Sequence, residues 1–249
     1  MAEPTPPESI ISPLPSFLHR FIAENMKYKE RSHTTLYETH KPGLELTPPE
    51  PSSPSPSPSP SFDVLFIGDS MLERLKTTGV NTKLHNLPRS FNLGVGGDKI
   101  ENVLYRLNEG YITLLTTRTT KIWVVHIGSN NLSVKRGLRP DIELSNYRIL
   151  LQTLLLLSPK SVVFVTGVFR RKDVKDEIVR ESNEGIIKMV EDMNAPSRES
   201  GREERLVWVP PAEAVDFDVL ADQAHLNEDG YRIWDEDLYP RVIEALNKF

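Results

Sequence analysis

The chain of 249 residues contains no cysteine. Disulfides, thiolate metal sites and cysteine nucleophiles are therefore excluded, and the composition is compatible with a reducing compartment. Long apolar runs are also lacking. The most apolar stretch, Ile149 to Leu157, is broken by Gln152 and falls well short of the roughly 20 residues that a spanning helix needs. The opening Met-Ala-Glu-Pro-Thr-Pro-Pro-Glu has no basic region followed by an apolar one, so no secretory signal is expected. The expectation is a soluble, cytoplasmic protein with no membrane span. An excess of positive charge is missing too. Lys and Arg number 30 against 35 for Asp and Glu, giving a net charge of −5 and a pI near 5.8. Nucleic acid is not an expected partner of such a chain. The short cluster Arg170-Arg171-Lys172 lies beside acidic residues and reads as solvated surface.

Proline, by contrast, is abundant, and it is concentrated in residues 1–61, where Pro51 to Ser61 is nearly pure Pro/Ser alternation. Such a composition buries too little apolar surface to offset its ordering entropy. The sequence thus predicts a largely disordered N-terminal tail and linker over 1–61 and a folded domain over 62–249. Within the tail, Ser16 to Met26 has the pattern of a short amphipathic helix, expected to be loosely docked.

From Phe62 the pattern changes to apolar runs alternating with amphipathic stretches. Val64 to Ile67, Lys121 to Ile127, Ser161 to Val168 and Leu206 to Val209 are continuous, rich in Val and Ile, and bounded by turn residues. Strands buried on both faces of a parallel sheet have this composition. A shorter strand is expected at Phe91 to Val95. Helical patterns fill the gaps at Asp98 to Asn108, with Asp98 as N-cap, and at Pro140 to Leu157, Val174 to Met193 and Asn227 to Leu246. Strands alternating with helices predict an α/β fold, a three-layer α/β/α sandwich around a parallel sheet.

Ligands of open α/β sheets sit beyond the carboxyl ends of the strands, so the residues just past each strand carry the functional reading. The first strand delivers Gly68-Asp69-Ser70, the second Gly94-Val95-Gly96-Gly97-Asp98, and the third Gly128-Ser129-Asn130-Asn131. Asp222-Gln223-Ala224-His225 comes after the last. Ser70 at a strand-to-helix turn exposes its hydroxyl and offers its N–H to a developing oxyanion. Alone, it reads better as a cap of the helix that follows, Met71 to Lys76. The spacing of three between Asp222 and His225 lets the carboxylate reach the imidazole within one tight turn and hold the tautomer needed by a general base. Alone, that pair is an ordinary loop pair before a helix. Gly97 N–H and the Asn130 amide are the further oxyanion candidates. His126, inside an apolar run, reads as a satisfied core histidine, and His85 lies in a polar loop. Neither a Gly-x-Ser-x-Gly elbow nor a phosphate-binding glycine loop is present. The conjunction of four weak motifs, each at a strand end and each with a complementary role, points to acyl transfer at Ser70.

These blocks resemble those of the SGNH (GDSL) hydrolase family, whose four motifs carry Ser, Gly, Asn and His. They correspond here to Ser70, Gly97, Asn130 and His225, with Asn131 where the family commonly has Asp. Phe91 to Asp98, Asn102 to Gly110, Gly128 to Leu132 and Thr166 to Arg171 are most similar to the intracellular platelet-activating-factor acetylhydrolase alpha subunits. The resemblance spans residues 62–249, with Arg171 to Ala221 departing most. It implies a flavodoxin-like, five-stranded parallel sheet in the order 2-1-3-4-5. It further implies a serine esterase with the triad Ser70, Asp222 and His225 and an oxyanion hole of Ser70, Gly97 and Asn130, supported by Asp69. Small acetyl or short acyl esters, as acetylated lipid or sugar, are the implied substrates. No metal or organic cofactor is implied, and a homodimer is. Acyl transfer to another acceptor on the same site, or a silent binding or scaffold module of the same fold, are the alternatives.

Overall fold

The computed structural model describes residues 14–46 and 62–249. Five strands form one sheet: β1 (Phe62–Gly68), β2 (Ser90–Gly94), β3 (Thr120–His126), β4 (Val162–Thr166) and β5 (Leu206–Val209). All neighbouring pairs are parallel and the order is β2-β1-β3-β4-β5, as expected. Strand side chains alternate between the two faces. Leu65, Ile67, Trp123, Val125, Val163 and Val165 enter one core, while Val64, Phe66, Ile122, Val124 and Phe164 enter the other. Both faces are therefore apolar, and this explains why the strands read as unbroken hydrophobic runs.

Helices cover both faces. The first core is closed by α1 (Ser16–Asn25), α5 (Ile100–Arg106), α7 (Ser145–Leu157) and α8 (Asp176–Glu199). The second lies under α4 (Ser70–Glu73) and α9 (Glu228–Leu246). Two further short helices, α2 (Glu30–Thr35) and α3 (Lys41–Leu46), flank a π turn at Leu36–His40, and α6 (Ile112–Thr116) comes after a second π turn at Leu107–Tyr111. No helix among the described residues is long and apolar enough to cross a membrane.

The N-terminal region departs from expectation. Residues 14–46 do not behave as an extended tail. Leu14, Leu18, Ile22, Leu36 and Leu44 are buried in the first core. The predicted helix at Ser16 to Met26 is present as α1, yet it is packed rather than loosely docked. The physical reason is the i, i+4, i+8 spacing of Leu14, Leu18 and Ile22, which presents one apolar stripe to α5 and α7. The expectations for residues 1–13 and 47–61 lie outside the described residues.

Asp98 also departs from expectation, because it does not cap the helix after it. Lys99 occupies the N-cap position, with its N–H given to Asn102 Oδ1 at 2.9 Å, while Ile100 N–H is taken by Asn131 Oδ1 at 3.1 Å. The Asp98 carboxylate turns inward, where it accepts from Arg106 Nε at 2.9 Å and Ser32 Oγ at 2.5 Å. Neither Asp98 nor Arg106 has any solvent exposure. A buried carboxylate is tolerated only when it is paired and hydrogen-bonded, and this pair satisfies both conditions. Arg106 also donates to Leu93 O at 2.6 Å and Gly68 O at 3.0 Å. It thereby ties the ends of β1 and β2, where the chain turns into the site.

Candidate active site

The sheet register aligns the strand ends. Gly68 faces Gly94 on one side and His126 on the other. A Cβ at Gly68 would lie 1.8 Å from His126 O, so only glycine fits where β1 ends. Asp69 comes next, and it caps α4 by accepting Met71 N–H on Oδ1 at 3.0 Å. With the cap supplied by its neighbour, the Ser70 hydroxyl is free for another partner. It meets His225 Nε2 at 2.9 Å.

His225 arrives from the loop before α9. Asp222 Oδ1 accepts the backbone N–H groups of Ala224 and His225, each at 2.9 Å. Its Oδ2 lies 2.7 Å from His225 Nδ1. The turn is closed by Ala221 N–H on His225 O at 2.8 Å, and α9 is capped by Asn227, which accepts Gly230 N–H at 2.9 Å. An ionised Asp222 accepts only, so Nδ1 carries the proton and Nε2 is left to accept from Ser70. Burial alone would push the Asp222 carboxyl up. The backbone donors of Ala224 and His225, with the imidazole, outweigh it and hold the group well below the usual carboxylate range.

Gly97 adopts φ +73°, a region where a side chain would be strained. Its N–H and that of Ser70 have no hydrogen-bond partner among the described residues. Asn130 Nδ2 donates one hydrogen to Asp98 O at 2.9 Å, which pins the amide and leaves its second hydrogen over. Ser70, Ser129, Asn130, Arg171, Asp222 and His225 line one cleft of about 280 Å³. Gly97 is not a lining residue of that cleft; Asn130 reaches its neighbour Asp98. A larger cavity, about 590 Å³, lies beside Val162, Phe164 and Val207, remote from Ser70 and His225. It brings no hydroxyl and imidazole together, so size does not mark the site here.

His126 is buried, as its position in an apolar run suggests. Its Nδ1 lies 2.8 Å from Thr166 Oγ1, whose own hydroxyl donates to Val125 O, and its Nε2 has no partner. Burial pushes its pKa down to about 3, so the ring is neutral. It plays no part in the cleft.

No family model matches the chain. Among curated proteins, the alpha2 subunit of platelet-activating factor acetylhydrolase IB from Homo sapiens is 29% identical over 126 residues, covering 49% of each chain. The Mus musculus alpha1 subunit is 28% identical over 133 residues, covering 51% of this chain and 52% of that protein. This chain is similar to the alpha subunits of platelet-activating factor acetylhydrolase IB. It spans about half the length of the curated relatives it matches. Among solved structures, a family two carbohydrate esterase from Clostridium thermocellum, in complex with cellohexaose, superposes with a TM-score of 0.58 at 13% identity. That match covers 80% of this chain and 67% of the esterase, and it shows a shared fold. The architecture shared with it is a five-stranded parallel sheet between two layers of helices.

Beyond the blocks that carry the acetylhydrolase likeness, the structure adds residues that sequence reasoning missed. Arg171 does not lie on the expected solvated surface. Its side chain is largely buried against the cleft and donates from Nη1 to Ser129 O at 2.8 Å and from Nη2 to Asp173 at 2.7 Å. Arg170 beside it keeps the expected exposed character, pairing with Asp176 and Asp216. Lys29 and Ser32, from the N-terminal segment, reach the Gly96–Asp98 loop. No local pattern marks either of them.

Proposed function

We propose that this chain is a carboxylic ester hydrolase with Ser70 as nucleophile, His225 as general base and acid, and Asp222 as the group that orients His225. The observation that carries this reading is the continuous line of hydrogen bonds from Asp222 Oδ2 through His225 to Ser70 Oγ, at 2.7 and 2.9 Å. Ser70 Oγ attacks the ester carbonyl carbon while His225 Nε2 takes its proton, and Asp222 stabilises the imidazolium that results. The carbonyl oxygen becomes an oxyanion, for which the N–H groups of Ser70 and Gly97 and the free hydrogen of Asn130 Nδ2 are the donors. Collapse of the intermediate breaks the ester C–O bond, and His225 returns the proton to the leaving alcohol. Water then attacks acyl-Ser70 by the same steps and releases the acid.

Substrates with a small acyl group, acetyl above all, fit the modest volume of the cleft. The names of the relatives, acetylhydrolase and carbohydrate esterase, agree with an acetylated lipid or sugar. The side chain of Asp222 is 45% exposed, so water reaches the site readily, which favours hydrolysis over transfer to another acceptor. Sedimentation analysis tests the homodimer that the alpha-subunit resemblance implies, and fractionation tests a cytoplasmic setting.

The deciding experiment is turnover of p-nitrophenyl acetate by the wild type and by Ser70→Ala. A loss of roughly 10³-fold or more is expected when a member of the triad is removed. Equal turnover by the two proteins would sink the reading. Labelling of Ser70 by a fluorophosphonate separates an enzyme from a silent scaffold of the same fold.

A further inference from the structure

The segment from Lys27 to Ser32 lies across the loop that carries Gly97. Lys27 N–H donates to Glu101 O at 2.9 Å, and Asn102 Nδ2 donates back to Lys27 O at 2.9 Å. Arg31 Nη2 pairs with Glu73 of α4 at 2.8 Å, at the far end of the helix that Ser70 begins. Ser32 Oγ donates to Asp98 Oδ1. Between these anchors, Lys29 Nζ donates to Gly96 O at 2.8 Å and lies 3.3 Å from Asp98 Oδ1.

The bond to Gly96 O has a particular consequence. Gly96 C=O and Gly97 N–H belong to one planar peptide unit. Fixing the oxygen therefore fixes the direction in which the N–H points. The unit is flanked by two glycines, which allow it more conformations than any other pair of residues would. An ammonium on the carbonyl oxygen also draws electron density along the amide and strengthens its N–H as a donor. The contact is close, because a Cβ added at Gly97 would lie 2.9 Å from Lys29 Nζ.

We infer that Lys29 is a positioning residue: it holds the Gly96–Gly97 peptide so that the Gly97 N–H is aimed and polarised as an oxyanion donor, with the N-terminal segment serving as the clamp that delivers it. This rests on the esterase reading. Lys29 does not touch the reacting atoms and acts through the peptide. Its contribution belongs to the transition state, so it acts on kcat more than on KM.

The test compares kcat and KM for p-nitrophenyl acetate in the wild type, Lys29→Met, Lys29→Arg and Ser70→Ala, with melting temperatures measured in parallel. Lys29→Met should lower kcat by roughly tenfold or more, short of the roughly 10²–10³-fold that loss of a donor itself costs, with KM changed little. Lys29→Arg, which keeps charge and donors, should recover most of kcat. A role confined to holding the fold would lower the melting temperature and leave kcat of the folded fraction unchanged, and that result overturns the inference. Should Lys29→Met fail to fold, Lys29→Gln keeps one donor without the charge; it should lose at least threefold in kcat on the same grounds, roughly. Wild-type kcat in that variant overturns the inference equally. The two readings fail separately. Turnover surviving in Ser70→Ala removes the esterase itself. Turnover lost in Ser70→Ala but intact in Lys29→Met removes only the clamp.

Discussion

Asp69, next to Ser70, and Asp222, paired with His225, are two carboxylates that their surroundings drive in opposite directions. Burial pushes Asp69 up to about 7, and the nearby charge of Asp98 adds to the rise, while Met71 N–H, Arg171 and Lys29 counter it only in part. Asp222 is held low by the backbone donors of its own turn. The stability consequences have opposite sign. Between roughly pH 4, where an unfolded aspartate loses its proton, and pH 7, native Asp69 keeps a proton that the unfolded chain has released. Stability contributed by this group therefore falls as pH rises through that window, by up to about 1.4 kcal/mol per unit. Asp69→Asn keeps an oxygen to accept Met71 N–H and cannot titrate, so it should remove this slope. Urea midpoints between pH 4 and 8 measure it, and an unaltered slope in the variant excludes Asp69 as its source. For Asp222 the expected readout is catalytic. Asp222→Asn should cost roughly 10⁴-fold in kcat, because the amide favours the wrong imidazole tautomer. Retention of more than a tenth of the activity in that variant would show that Asp222 does not orient His225.

Helix α1 shows how elements depend on their setting. At ten residues it is too short to be stable alone in water, since isolated helices under roughly 12–15 residues are marginal. It exists because Leu18 and Ile22 are buried against α5 and α7. Ile22→Ala should therefore destabilise the whole domain by about 2–5 kcal/mol, as core truncations do. Denaturant unfolding checks this, and an unshifted midpoint would return the segment to the status of a passive tail. The sequence shows the stripe of Leu14, Leu18 and Ile22 plainly, but the surrounding proline dominates the composition. The continuation through Leu36 and Leu44 is illegible for a different reason. The π turn at Leu36–His40 shifts the helical phase, so the apolar positions no longer repeat at a period of 3.6. Asp98 suits a cap by type and position, yet the cost of burying its charge next to Arg106 decides its orientation.

At the scale of the whole molecule, two histidines among the described residues, His40 and His126, are buried and neutral. Burial pushes His126 down to about 3; for His40, burial acts first and the charges of Arg106 and Lys76 add to it, giving about 2. Unfolded histidines take up protons below roughly pH 6.5. Each folded ring refuses that proton until far lower pH, so stability is lost as pH falls from 6.5, by up to about 1.4 kcal/mol per unit for each ring. This trend opposes that of Asp69, and with two rings it prevails. The wild type should thus weaken on acidification from neutrality, and His126→Gln should show a visibly shallower acid slope in urea titrations. An equal slope in the variant would mean that His126 is not the group being charged.

The sequence by itself determined the layers, the strand order that the family resemblance implies, and which residues stand at each strand end. These depend on local pattern: apolar runs buried on both faces, turn residues that stop them, and a three-residue spacing that closes the Asp222–His225 turn with its own backbone. Only the tertiary structure decided the rest. Ser70 meets His225 across 155 residues, Asp98 turns to Arg106 and Ser32, and Lys29 comes to rest on Gly96. Each of these contacts depends on which groups are buried together once both cores have formed, and burial cost has no local signature along the chain.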